Sequence, residues 1–282
     1  MNRDLYLDHF INLALEEDIG DGDHTSLACV PPEQKGTARL IAKQEGVLAG
    51  VDITSRIFEK VDKQLKLTYY LEDGTYVYKG NPVFEISGKA LSILKLERLI
   101  LNIMQRMSGI ATQTFEYVSA LKGYNTEILD TRKTTPGMRY LEKEAVSIGG
   151  GVNHRMGLYD MILIKDNHIK FAGGITNALK STQKYLQNNN INLKVEIEAH
   201  TLEDIETILE IGGVDIILLD NFSVNKTKKA VELVNGTYKL ESSGTITISN
   251  IKEYAACGVD FISIGALTHQ IKSLDMSLKA IL

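Results

Sequence analysis

Cysteine is scarce in this chain. Its two copies in 282 residues, Cys29 and Cys257, lie far apart and form no CxxC spacing. That argues against a disulfide framework and for a reducing compartment, the cytoplasm. Long apolar runs are missing too: none approaches the roughly 20 residues that a bilayer-spanning helix needs. The opening Met1-Asn2-Arg3-Asp4-Leu5 lacks the apolar core of a signal peptide. No excess of positive charge exists either. The net charge is −5, which speaks against nucleic acid as the main partner. What remains is an ordinary globular composition, 44% hydrophobic and 24% charged, long enough for one large or two modest domains.

The pattern changes along the chain. Residues 1 to about 19 cluster their apolar positions as a helix does, and Asp21-Gly22-Asp23 ends it. Strands are expected at Thr37–Lys43, Gln64–Tyr70 and Val83–Ile86, with a short helix over Asp52–Val61. Glu72-Asp73-Gly74-Thr75 is a turn signal. The segment Glu72–Gly88 resembles the sandwich of biotinyl and lipoyl domains, but it offers no matching lysine at a hairpin tip, so it reads as scaffold. A long helical pattern follows over Leu91–Leu121, with a break expected at Ser108-Gly109. Beyond residue 125, strand-like and helical runs alternate, which means a parallel sheet, open or closed into a barrel. The residues at or just after the strand ends are Arg132, Lys165, Glu198, Asp220, Ser243 and Gly265, spaced 33, 33, 22, 23 and 22 apart. Six or seven strands instead of eight suggest an incomplete barrel, whose carboxyl ends form one functional face. The expected organisation is an N-terminal α/β domain over 1–112, an incomplete β/α barrel over 113–268, and a C-terminal helix over 269–282 that packs back on the first domain.

Against the acidic background stands a cationic island. Asp130-Thr131-Arg132-Lys133-Thr134-Thr135-Pro136-Gly137 sets two cations where a strand ends. Gly149-Gly150-Gly151-Val152-Asn153-His154-Arg155 and Ile164-Lys165-Asp166-Asn167-His168 follow within 33 residues. Arginine and lysine grip carboxylates and phosphates, so the island points to a substrate with several negative charges. Lys165 ends an apolar run, where a lysine is costly unless paired. Glu196 and Glu198 share one side of a strand, and Asp220 caps another. Glu198 and Asp220 suit Mg²⁺, which takes one or two carboxylates plus substrate phosphates, or else sugar hydroxyls. Ser242-Ser243-Gly244-Thr245 and Gly265-Ala266-Leu267-Thr268 follow the last two strands, where barrels often bind phosphate.

In order, DTRKTTPG, GGGVNHRMGLYD, ILIKDNH, VEIEAHT, ILLDNF, ESSGTI and SIGALTH resemble the quinolinate phosphoribosyltransferases. So do Leu101–Thr112 (LNIMQRMSGIAT) and Glu17–Thr25 (EDIGDGDHT). The resemblance covers essentially the whole chain. It implies an N-terminal α/β sandwich plus an incomplete barrel, assembled at least as a homodimer. It implies transfer of a phosphoribosyl group from 5-phosphoribosyl 1-pyrophosphate to the ring nitrogen of quinolinate. Decarboxylation then gives nicotinate mononucleotide, CO₂ and pyrophosphate in de novo NAD synthesis, with Mg²⁺. By motif, Arg132, His154, Arg155 and Lys165 surround the quinolinate carboxylates, with Thr131 and Lys133 nearby. Arg106 reaches the site of the neighbouring subunit. Glu198 and Asp220 face the ribose and metal, with Lys165, Glu198 and Asp220 as the catalytic set. Ser243, Gly244, Gly265 and His269 hold the 5′-phosphate.

Two departures stand out. The family usually has a second glycine where Thr245 stands, and Ser147-Ile148 replaces an expected cysteine. If position 245 needs a positive φ, threonine fits badly. Three other readings compete: a Schiff-base barrel aldolase using Lys165, a molybdenum-transport-related protein of the same superfamily, and a non-catalytic anion binder.

Overall fold

A computed structural model describes residues 3–281. The chain divides into two compact units, one of residues 1–115, 134–150 and 267–282, the other of 116–133 and 151–266.

The first unit opens with α1 (Arg3–Ile19) and α2 (His24–Cys29). Asp23 caps α2, its Oδ1 accepting from the Ser26 N–H at 3.0 Å, so one orphan amide of the first turn is satisfied. Then come β1 (Lys35–Ala42), β2 (Gly46–Val47), α3 (Val51–Val61), β3 (Lys66–Tyr69), β4 (Tyr76–Val77) and β5 (Pro82–Lys89). Ile53, Ile57 and Phe58 fall on one face of α3 and are buried. Phe58 meets Phe84 of β5 edge-on at 6.0 Å.

The long helix α4 (Ala90–Ala120) is unbroken, contrary to the break expected at Ser108-Gly109. Both residues serve packing instead. Ser108 Oγ is buried and accepts from the Ala49 N–H at 2.9 Å. A Cβ on Gly109 would lie 3.1 Å from Ser273 Cα, so glycine lets the C-terminal chain cross the helix closely. The C-terminal helix expected over 269–282 is also corrected. After α11 (Ala266–His269) the chain forms β12 (Met276–Ile281), antiparallel to β1 with Leu40 opposite Leu278. Met276 and Leu278 are buried alternately, the period of a strand. Leu282 lies outside the described residues, as do Met1 and Asn2 of the first expected helix. The resulting sheet runs β12-β1-β5-β3. α5 (Arg139–Ile148) completes this unit.

The second unit is the incomplete β/α barrel. Its strands are β6 (Glu127–Leu129), β7 (Ile162–Ile164), β8 (Val195–Ala199), β9 (Ile216–Asp220), β10 (Lys239–Ser243) and β11 (Phe261–Ser263), in the order β6-β11-β10-β9-β8-β7. All five neighbouring pairs are parallel. Helices α6 (Asp166–Ala172), α7 (Ile175–Asn189), α8 (Leu202–Ile211), α9 (Val224–Val234) and α10 (Ile251–Ala255) connect them. β8 is buried at all five positions, as a strand covered on both faces must be. Its two glutamates are therefore conspicuous.

Candidate active site

The strand ends build a cavity of about 320 Å³ within the second unit. Thr131, Arg132 and Lys133 line it from the segment after β6, and His154 and Arg155 from the segment after the triple glycine. Lys165, Glu198, Asp220 and Ser243 line it from the ends of β7, β8, β9 and β10. Nine of the residues singled out in the sequence therefore meet in one place. Gly244 and Gly265 stand in the loops just beyond β10 and β11. His269, the last residue of α11, is exposed and belongs to the first unit, as does Arg106.

The segment carrying His154 is positioned by backbone. Val152 bridges to Leu129 in parallel, its N–H donating to Ile128 O at 2.8 Å. The His154 N–H then donates to the fully buried Asp130 at 2.9 Å. In the first unit, a Cβ on Gly149 would run into the Ala111 carbonyl, and Gly150 takes a φ of +90°. These glycines therefore secure helix packing and a turn that other residues would strain.

A triad joins the cavity wall to the strand behind it: His154 and Glu241 line the cavity, and Glu196 does not. His154 Nε2 sits 2.8 Å from Glu196 Oε2 and 3.5 Å from Glu241 Oε2, with both glutamates buried. Burial opposes charge on the imidazole, but hydrogen bonds and charge from the two glutamates outweigh it and raise its pKa to about 9. Burial and the neighbouring Glu241 push the Glu196 carboxyl above the usual range, against the pull of His154. Arg155 lies below the usual guanidinium range through burial and the charge of Arg132. Glu241 was not singled out from the sequence. Its strand carries a single buried apolar residue, Leu240, between an exposed Lys239 and two serines, so no apolar run marks the buried carboxylate.

Lys165 Nζ donates to Glu198 Oε1 at 2.9 Å, and the Asp166 N–H donates to Oε2 at 2.9 Å. Both oxygens of Glu198 are thus occupied within the chain. Asp220 accepts through Oδ2 from the Asn221 amide at 3.0 Å, and His200 Nδ1 stands 3.6 Å from the same oxygen. Among the described residues, Asp220 Oδ1 makes no hydrogen bond. This donor set fits a hard cation held by one protein oxygen and completed by substrate phosphates and water. In the loop after β10, Gly244 takes a φ of +125°, whereas Thr245 is not among the residues with positive φ. The threonine therefore meets no backbone conflict.

In the first unit, Arg106 is tied to the buried Glu142 through Nη2 at 2.6 Å and Nε at 2.8 Å. Nη2 also donates to Thr135 Oγ1 at 2.8 Å. About a quarter of the Arg106 side chain stays exposed, in a groove of about 580 Å³ shared with Phe10, Leu99 and Ile103.

Comparison with known proteins points to one family along the whole chain. The profile described as "Quinolinate phosphoribosyl transferase, C-terminal domain" matches residues 110–279, and its N-terminal counterpart matches 23–108. The chain is 46% identical to a chloroplastic nicotinate-nucleotide pyrophosphorylase [carboxylating] of Oryza sativa, over 95% of this chain and 76% of that one. It is 42% identical to the probable nicotinate-nucleotide pyrophosphorylase [carboxylating] of Bacillus subtilis, over 97% and 93%. The crystal structure of NadC from Streptococcus pyogenes superposes with a TM-score of 0.93 at 36% identity, covering 100% of this chain and 99% of that one.

Proposed function

The chain belongs to the quinolinate phosphoribosyltransferase family, and from that membership we infer how its residues carry out the family's reaction. The enzyme transfers the phosphoribosyl group of 5-phosphoribosyl 1-pyrophosphate to quinolinate and decarboxylates the product to nicotinate mononucleotide. The observation that carries the assignment of roles is the cavity itself. Arg132, Lys133, His154, Arg155 and Lys165 face it together with Glu198, Asp220 and Ser243.

The cations bind the two carboxylates of quinolinate and aim its ring nitrogen at C1 of the ribose. That nitrogen bonds to C1 as the bond to pyrophosphate breaks, and pyrophosphate leaves with the electron pair. Glu198 and Asp220 stabilise the oxocarbenium-like ribosyl centre. The 2-carboxylate then leaves as CO₂, and the carbon that keeps its electrons takes a proton. Ser243, Gly244 and Gly265 hold the 5′-phosphate. Mg²⁺ is the cofactor in this reading; it would be held by Asp220, with Glu198 acting through water or substrate, and would neutralise pyrophosphate charge.

The protein works as a homodimer or higher oligomer. Arg106 enters the partner's site, a reading that its partial exposure supports. Among the described residues no helix is long and apolar enough to cross a membrane. The scarcity of cysteine favours the cytoplasm, although the rice relative is named as chloroplastic. A Schiff-base aldolase fits poorly, because Lys165 is engaged with Glu198 and the arginines would have no task. Incubation with quinolinate, phosphoribosyl pyrophosphate and Mg²⁺ should yield nicotinate mononucleotide, CO₂ and pyrophosphate. Absence of the mononucleotide would overturn the assignment.

A further inference from the structure

Asn221 follows Asp220 with a φ of +54°, a left-handed conformation unfavourable for a side chain, though asparagine tolerates it better than most. Three contacts hold it there. Its backbone N–H donates to Ser243 O at 2.9 Å, just past the point where Asp220 pairs with Ser243 in the ladder. Its side-chain amide donates to Asp220 Oδ2 at 3.0 Å. Its side chain also fills the space that Gly244 leaves. A Cβ on Gly244 would lie 2.9 Å from Asn221 Cγ and 3.1 Å from its Cα, and would collide with Oδ1. One residue thus touches both the carboxylate at the end of β9 and the glycine loop after β10.

We propose that Asn221 is a positioning residue: it orients Asp220 through its amide and, by seating against Gly244, ties that carboxylate to the loop that takes the 5′-phosphate. The two ends of the phosphoribosyl group are then met by one interlocked pair of turns. Oδ2 is held from inside the protein, and Oδ1 remains for the ligand. This rests on the reading that Asp220 and the Gly244 loop face the phosphoribosyl substrate.

A role confined to backbone shape would be met equally well by glycine, which adopts positive φ freely. Asn221→Gly therefore separates the two. It should keep the melting temperature near that of the wild type and leave quinolinate affinity, measured by calorimetry, within about twofold. It should lower kcat/KM for phosphoribosyl pyrophosphate by about tenfold or more, the usual effect of losing a hydrogen bond to a charged group. Asn221→Asp, which sets a second carboxylate against Asp220, should fare worse. Gly244→Ala should weaken phosphoribosyl pyrophosphate binding, and adding Asn221→Gly should make the combined loss smaller than the product of the two. Wild-type kinetics in Asn221→Gly, or fully multiplicative losses in the double variant, would overturn the proposal. If the wild type makes no nicotinate mononucleotide, the functional reading itself fails. The contact is then judged from the melting temperatures of the same variants, where strictly additive shifts for Asn221→Gly and Gly244→Ala would overturn it.

Discussion

His154 joins burial, charge and function in a single side chain. Its native pKa of about 9 stands above the ordinary histidine value near 6.5. A raised folded-state pKa stabilises the native protein fully below pH ~6.5, and the contribution fades as pH rises through about 9. Glu196, also shifted upward, acts in the same direction, because the native state again holds more protons than the unfolded one. Denaturant titrations at pH 6.5, 8 and 9.5 should therefore show falling stability, and Glu241→Gln, which removes one of the charges holding the imidazolium, should flatten that trend. A Glu241→Gln slope equal to the wild type would mean that the triad does not set it. At the same scale, Lys165→Ala should abolish turnover and weaken quinolinate binding while phosphoribosyl pyrophosphate still binds, as calorimetry can report. Loss of phosphoribosyl pyrophosphate affinity alone would reverse the placement of the two substrates. Quinolinate should also be far preferred over nicotinate, which lacks the 2-carboxylate and so offers the cationic cluster one charge fewer to grip. Comparable kcat/KM for the two acids would contradict that.

The elements show where sequence reading succeeds and where it fails. The barrel strands were legible because short apolar runs ending in a charged or small residue recur with near-regular spacing. The Ser108-Gly109 break was a misreading: glycine weakens a helix by only about 1 kcal/mol, and the crossing of Lys272 and Ser273 over Gly109 requires it. Met276–Ile281 was misread because a six-residue alternation at a chain end is faint by itself, whereas its pairing with β1 is non-local. That pairing makes β12 the edge strand covering β1. Deleting residues 276–282 would strip Leu40 and Ala38 of partners and leave β1 with unpaired backbone groups. Reduced melting temperature and concentration-dependent aggregation are expected, and light scattering on heating tests both. A truncated protein that melts and scatters like the full chain would show that β12 adds nothing to the sheet.

For the whole molecule, the prediction concerns shared sites. Arg106→Ala and Lys165→Ala homodimers should each be nearly inactive. Refolding the two together at 1:1 makes half the dimers mixed, each with one doubly damaged and one intact site. Activity should return to roughly a quarter of wild type. No recovery, with mixed dimers verified by differential tags, would assign Arg106 to its own subunit or to the fold alone, where its pair with Glu142 already gives it a task.

The sequence by itself determined the chemistry. The cationic motifs, Glu198, Asp220 and the two glycine-bearing loops are local patterns, and each is set by its own strand end. The tertiary structure decided how those groups engage one another. It paired Lys165 with Glu198, assembled His154, Glu196 and Glu241 from three separate segments, and set Asn221 against Gly244. It also turned the C-terminus into a strand. These contacts join residues more than twenty positions apart. Spacing along a chain fixes which face a side chain occupies, but only the packing of strand against strand fixes which partner it meets.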